Sequence, residues 1–179
     1  FLIYAGIQLL RLGVRPFIVN LGARFGLKKS LIIGTLLYAG NYIILSQVHG
    51  FSWWLGFFIF WSAVSDAAYW ASYHAYFSML TTKAKRGEDI GTKEALVTVA
   101  KALAPIFSGV AIVYFGFAAS FALASLFGIL SAIPLLFLSP TAPMPLIGWK
   151  EAWEGSDKRG FAAHFGHGWY EAGLITWSL

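Results

Sequence analysis

The sequence predicts an all-α fold, a polytopic bundle of transmembrane helices. Three observations predict it. First, 58% of the 179 residues are hydrophobic and 12% charged, against about 25% charged in a soluble domain. Second, no Asp, Glu, Lys or Arg occurs from Ser30 to Ser65, or from Ala102 to Trp149. Each stretch is long enough to cross a bilayer, turn and return, since one crossing needs about 20 apolar residues. Third, the basic residues outside these stretches cluster, as Arg24, Lys28 and Lys29, then Lys83, Lys85, Arg86 and Lys93, then Lys150, Lys158 and Arg159. The midway turns Gln47-Val48-His49-Gly50 and Phe115-Gly116-Phe117 carry no Lys or Arg. Basic loops alternating with uncharged tips follow the positive-inside rule.

Composition also excludes function classes. A net charge of +5 and a pI near 9.5 would suit nucleic acid. Here the basic residues flank apolar spans instead of striping a polar surface, so anionic lipid is the expected partner and nucleic acid is not. The absence of cysteine excludes disulfides and thiolate metal sites. The chain starts at Phe1 and stops at Leu179, both within apolar segments, and so reads as an internal fragment without a cleavable signal.

The first span is Phe1–Leu21 and the second Ser30–Gln47. The third, Phe51–Leu80, exceeds one crossing and is expected to continue past the interface. The fourth is Thr92–Phe115 and the fifth Ala118–Leu138. The run Ser139-Pro140-Thr141-Ala142-Pro143-Met144-Pro145 then stops the helix. Lys150–Gly160 is a charged connector, and Phe161–Leu179 begins a sixth helix. Trp53, Trp54, Trp149 and Trp169 near span ends fit interfacial aromatic belts. The basic clusters put loops Gly22–Lys29, Thr81–Gly91 and Ser139–Gly160 on the cytoplasmic side.

Two loops carry a family resemblance. Arg24-Phe25-Gly26-Leu27-Lys28-Lys29-Ser30-Leu31 resembles the turn between helices two and three of the major facilitator superfamily. The matching residues are Arg24, Gly26, Lys28, Lys29 and Leu31, while Val19 replaces the family's leading glycine and Ala23 its acid. Arg86-Gly87-Glu88-Asp89-Ile90-Gly91, followed by Ala95, is similar to the R-G-x-x-x-G-x-x-x-A that opens the family's fifth helix. Ala104-Pro105 with Gly109 resembles, in degenerate form, a motif of antiporter members. The resemblance implies the N-terminal six-helix half of a major-facilitator-type fold. Residues 1–138 would supply helices two to six, 139–160 the central cytoplasmic loop and 161–179 the start of the C-terminal bundle. It further implies a twelve-helix transporter with alternating access and a midplane substrate site between its halves. Arg24, Gly26, Lys28, Lys29, Arg86, Gly87 and Gly91 would form its gating loops. Without the family, Gly26 still permits a left-handed turn and the cations anchor to headgroups. Anchor and gate both stand as readings.

Ionisable groups inside spans are costly, by about 2.5–3.5 kcal/mol at the centre on insertion scales, and usually face a cavity or partner. Tyr4, Gln8, Arg11 and Arg15 share one face of the first span. Arg11 lies about 16 Å above the cytoplasmic end and Arg15 about 10 Å, at 1.5 Å per residue. Arg15 is within snorkelling reach of the interface, whereas Arg11 is too deep and points to ligand binding. Asp66, Trp70, Tyr73 and Phe77 form a matching stripe in the third span, flanked by Tyr69 and His74. Arg11 and Asp66 match in depth and are expected to pair, either as mutual neutralisation or as a substrate or proton site. His74 titrates in the range that suits proton coupling, or is a satisfied hydrogen-bonding residue. Lys101 lies at His74's depth. Asn41 lines the cavity or bonds a neighbouring helix. His164, His167 and Glu171 have metal-compatible spacing, but two ligand types at the start of an amphipathic segment are weak grounds, and neither metal nor cofactor is expected.

The expected function is therefore a secondary transporter in a plasma or bacterial inner membrane. Its small solute is anionic or zwitterionic, because Arg11, Arg15 and Lys101 outnumber Asp66. The aromatic stripe would also suit a drug exporter. The alternatives are a membrane-embedded lipid-modifying enzyme using Asp66 and His74, and a non-transporting scaffold or sensor.

Overall fold

The computed structural model describes residues 2–82 and 84–141. Its contacts divide the chain into Phe1–Pro145 and Leu146–Leu179. The second unit, on which the expected charged connector and sixth helix, Trp149 and Trp169 fall, lies outside the described residues, as does Lys83.

The order is α1 (Leu2–Phe25), α2 (Leu27–Leu45), α3 (Trp53–Leu80), α4 (Arg86–Leu130) and a short α5 (Ile133–Leu136). The expected Gly22–Lys29 loop shrinks to one residue. α1 runs on to Phe25 and α2 starts at Leu27, with Gly26 alone between them at φ 84° and ψ 150°. Lys and Arg are good helix formers, so the basic residues sit on the helices they flank. α4 likewise starts at Arg86, before the expected Thr92, with Glu88 and Asp89 in its first turn, where acids complement the helix dipole. Its helicity is broken at Gly116, at φ 77° and ψ 171°. This gives a first arm of residues 86–115 and a second of residues 117–130, so the Phe115-Gly116-Phe117 turn narrows to its glycine. The fifth helix does not reach Leu138 unbroken. Pro134 stands four residues beyond Leu130, the last residue of α4. Its ring would clash with that carbonyl, so the chain kinks there and continues as α5.

Small residues hold the helices together. Ala39, Ala63, Ser65 and Ala67 are buried almost completely. A Cβ on Gly34 of α2 would lie 2.7 Å from the Tyr69 backbone nitrogen of α3, and one on Gly128 2.8 Å from Ala39 Cβ. Asn41 bridges α2 and α3: its Nδ2 donates to Ser65 Oγ at 2.8 Å and its Oδ1 accepts from Ser62 Oγ at 2.9 Å. Trp61 Nε1 donates to the Leu37 carbonyl at 2.9 Å. Asn41 thus takes the interhelical role of its two expected ones. Leu27, Leu31 and Tyr76 form an apolar core at the α1–α2 end, covered by Tyr69, Tyr73, Ala75, Leu135 and Leu138.

The stretch Arg86–Leu136 is the one helix among the described residues long and apolar enough to cross a membrane, with mean hydropathy 2.1. The others fall short for a chemical reason. α1 carries Arg11, Arg15 and Arg24. α3 carries Asp66, with Ser62, Ser65, Ser72 and Tyr76 buried, and these polar groups depress its hydropathy.

The Gly34 approach makes a prediction. Gly34→Ala should lower stability by about 1–3 kcal/mol, because backbone must shift to admit the methyl group. Gly56→Ala, at a site with open space, should not. Thermal unfolding in detergent checks the pair.

Candidate functional site

α1 and α3 run side by side in the same direction, because their contacts rise together in number. A Cβ on Gly6 would lie 3.6 Å from Ile59 and one on Gly22 4.0 Å from Ser72 Oγ. Between these, Arg11 Nη1 donates to Asp66 Oδ2 at 3.4 Å. The predicted partners are therefore in contact. Their side chains are 30% and 19% exposed, so the pair is neither sealed nor open. At 3.4 Å it is looser than a tight charge-assisted bond of about 2.7–2.9 Å.

One helical turn further on, the α3 stripe becomes an aromatic ladder. Trp70 packs edge-on against Tyr73 at 5.8 Å and parallel to His74 at 5.5 Å. Tyr73 stacks on Tyr69 at 5.7 Å and on Phe77 at 6.0 Å. Tyr38 of α2 extends the ladder, 5.5 Å from Tyr69, within electrostatic reach of Asp66 and Arg11. The sequence reading missed Tyr38; its place one turn before Asn41 was the available signal. Lys93 of α4 lies over Tyr73 at 5.5 Å from the ring centre. Two cavities of about 480 and 230 Å³ share Thr35, Tyr69 and Ser131 between α2, α3 and the end of α4. The first is lined by Trp70 and the second by Tyr73, and neither by Arg11 or Asp66.

The remaining candidates are more dispersed. Arg15 is exposed, one turn beyond Arg11. Gln8 is half-buried on the same face. Lys101 is exposed on the first arm of α4, its charged neighbour being Glu94. His164, His167 and Glu171 lie outside the described residues. Among the described residues no group of three His, Asp or Glu side chains could hold a metal.

The basic turn has contacts that periodicity could not show. Lys28 Nζ donates to the Leu136 carbonyl at 2.7 Å, capping the end of α5. The Lys28 backbone N–H donates to Thr141 Oγ1 at 3.3 Å. Tyr76 Oη donates to the Ser139 carbonyl at 2.9 Å. A Cβ on Gly26 would lie 2.7 Å from the Thr141 carbonyl oxygen. The turn therefore grips the first residues of the Pro-rich segment. Arg24 and Lys29 remain exposed. Arg86 Nε reaches Thr81 Oγ1 at 3.3 Å and its Nη2 the Ser78 carbonyl at 3.4 Å, closing the α3–α4 turn. Gly87 and Gly91 face open space.

Gly26→Ala should lower thermal stability by about 1–3 kcal/mol and more than Gly116→Ala. Both have positive φ, but a Cβ at Gly116 meets nothing within 4 Å. Equal losses in thermal unfolding would show that the approach to Thr141 contributes nothing.

No curated protein and no solved structure matched the chain. The family model of the Major Facilitator Superfamily matches residues 2–179. The helical architecture and the turns at Gly26 and Arg86 agree with that match. The chain belongs to the Major Facilitator Superfamily, a family of helical membrane transporters.

Proposed function

We propose that this chain supplies the N-terminal half of a secondary active transporter, which moves a small anionic or zwitterionic solute by alternating access. The observation that carries the reading is the Arg11–Asp66 contact, a loose ion pair within the bundle of a superfamily member. In this reading α1, α2, α3 and the two arms of α4 are helices two to six of the bundle. Residues 139–160 are the central cytoplasmic loop, and 161–179 open the second bundle. The membrane is a plasma or bacterial inner membrane, with the Gly26 and Arg86 turns on its cytoplasmic side.

The mechanism follows from electrostatics. A buried ion pair costs desolvation, and breaking it by removing one partner leaves an uncompensated charge. A solute anion at Arg11 together with a proton at Asp66 separates the pair and leaves neither charge uncompensated. Their joint arrival changes which helix contacts are favoured, and so shifts the balance between the two open states. Gln8, Tyr73 and His74 line the same pathway, with Lys101 at its edge. The Gly26 and Arg86 turns gate it.

Arg11→Ala and Asp66→Ala should each abolish uptake in proteoliposomes. The double variant should fold yet stay inactive, because Arg11 contacts solute as well as Asp66. Wild-type uptake by the double variant would reduce the pair to mutual neutralisation.

Topology has its own test. Lys28→Cys and Arg86→Cys should react with an impermeant reagent only from the cytoplasm, and His49→Cys only from outside. Labelling of positions 28 and 49 from one side would refute the arrangement.

A further inference from the structure

The two cavities between α2, α3 and the end of α4 meet at Thr35, Tyr69 and Ser131. The larger, of about 480 Å³, is also lined by Tyr38, Tyr42 and Trp70. No charged side chain among the described residues lines either one. Moving an unpaired ion into such surroundings costs far more than moving a neutral molecule. The larger cavity therefore selects an uncharged occupant and is separate from the Arg11–Asp66 pair. Tyr38, Tyr69 and Trp70 form one continuous wall, with Tyr69 5.5 Å from Tyr38 and 5.2 Å from Trp70, centre to centre. Tyr38, Tyr42 and Tyr69 are half-buried. Their hydroxyls make no hydrogen bond among the described residues, although a buried phenol ordinarily finds a partner. The Thr35 and Ser131 hydroxyls donate to the Leu31 and Gly128 carbonyls at 2.8 and 2.7 Å, which leaves their oxygens free to accept. The cavity thus offers donors and acceptors as well as ring faces. An acyl chain satisfies none of these polar groups. A volume of about 480 Å³ is also that of a small-molecule site.

We propose that this cavity is a binding site for an uncharged aromatic molecule that carries a hydroxyl group. Its rings pack on Tyr69 and Trp70, and its hydroxyl bonds to the phenols and to Thr35 or Ser131. The site lies apart from the ion pair, so the proposal goes beyond the transporter reading and is tested without flux.

The test is equilibrium binding to the purified chain in bilayer lipid, with uptake by protein-free vesicles of the same lipid subtracted. The probe is 2-naphthol. Naphthalene keeps the rings without the hydroxyl, decahydro-2-naphthol keeps the hydroxyl without aromaticity, and 2-naphthoate adds a charge. Binding of 2-naphthol should saturate at one molecule per chain. It should be about three- to tenfold tighter than that of naphthalene or decahydro-2-naphthol. An excess of 2-naphthoate should not displace it. Ala124→Phe, which adds a ring at a lining position, should abolish binding without lowering thermal stability. Tyr38→Phe, Tyr42→Phe and Tyr69→Phe made together keep the rings and should bring 2-naphthol down to the affinity of naphthalene. This triple variant decides alone if Ala124→Phe does not fold. Absence of saturable binding, equal wild-type affinity for 2-naphthol and naphthalene, or displacement by 2-naphthoate overturns the proposal. So does binding that survives Ala124→Phe or a preference for 2-naphthol that survives the triple variant. Binding seen in phospholipid-free detergent and lost in bilayer lipid gives the cavity to an acyl chain, and overturns it equally.

Discussion

The close approach of α2 to α3 is the constraint on which the rest depends. In lipid there is little hydrophobic force between helices, so association rests on contact and hydrogen bonding. Gly34 lets α2 meet the α3 backbone at Tyr69, and Asn41 then reaches both Ser62 and Ser65. Those contacts fix the rotation of α3 about its axis. With Ser62, Ser65 and Tyr69 turned toward α2, Asp66 is turned toward α1 and meets Arg11. The ion pair and the aromatic ladder are thus consequences of a glycine contact, not independent features.

The same economy governs the α1–α2 turn. One residue reverses the chain, so the ends of both helices stay close. Lys28 then spans to the end of α5 and closes a ring of contacts that includes Tyr76 and Thr141. The ring ties α2 and α3 to α5 and the residues that follow it. Ser139 and Thr141 are therefore held to α3 and α2.

The contact of Arg11 with Asp66 was legible in the sequence, because both obey local rules. Spacing of three and four puts residues on one face, and 1.5 Å per residue puts the two at matching heights on neighbouring helices. Gly26 was legible for a similar reason, since a left-handed turn has few alternatives to glycine. The ends of the helices were not. A basic cluster marks where water begins, whereas a helix ends where its backbone hydrogen bonds end. Lys28 and Lys29 satisfy the first criterion without the second, and so does Arg86. Pro134 was overlooked within an apolar run, although its ring forbids an unbroken helix past Leu130. The capping of Leu136 by Lys28 joins residues 108 positions apart, which no local pattern encodes.

Hydropathy shows a further limit. Apolar character measures what a helix can show to lipid, and it ranks Arg86–Leu136 first. A helix that carries function must also hide polar groups from lipid. α3 does so with Ser62, Ser65 and Ser72 buried and Asp66 turned onto α1. Ser62 and Ser65 lower mean hydropathy while lowering no tolerance for the bilayer, because their hydrogen bonds with Asn41 are made within the bundle. In α3 the polar side chains and the apolar ones are thus separated by face, the polar ones turned to α1 and α2.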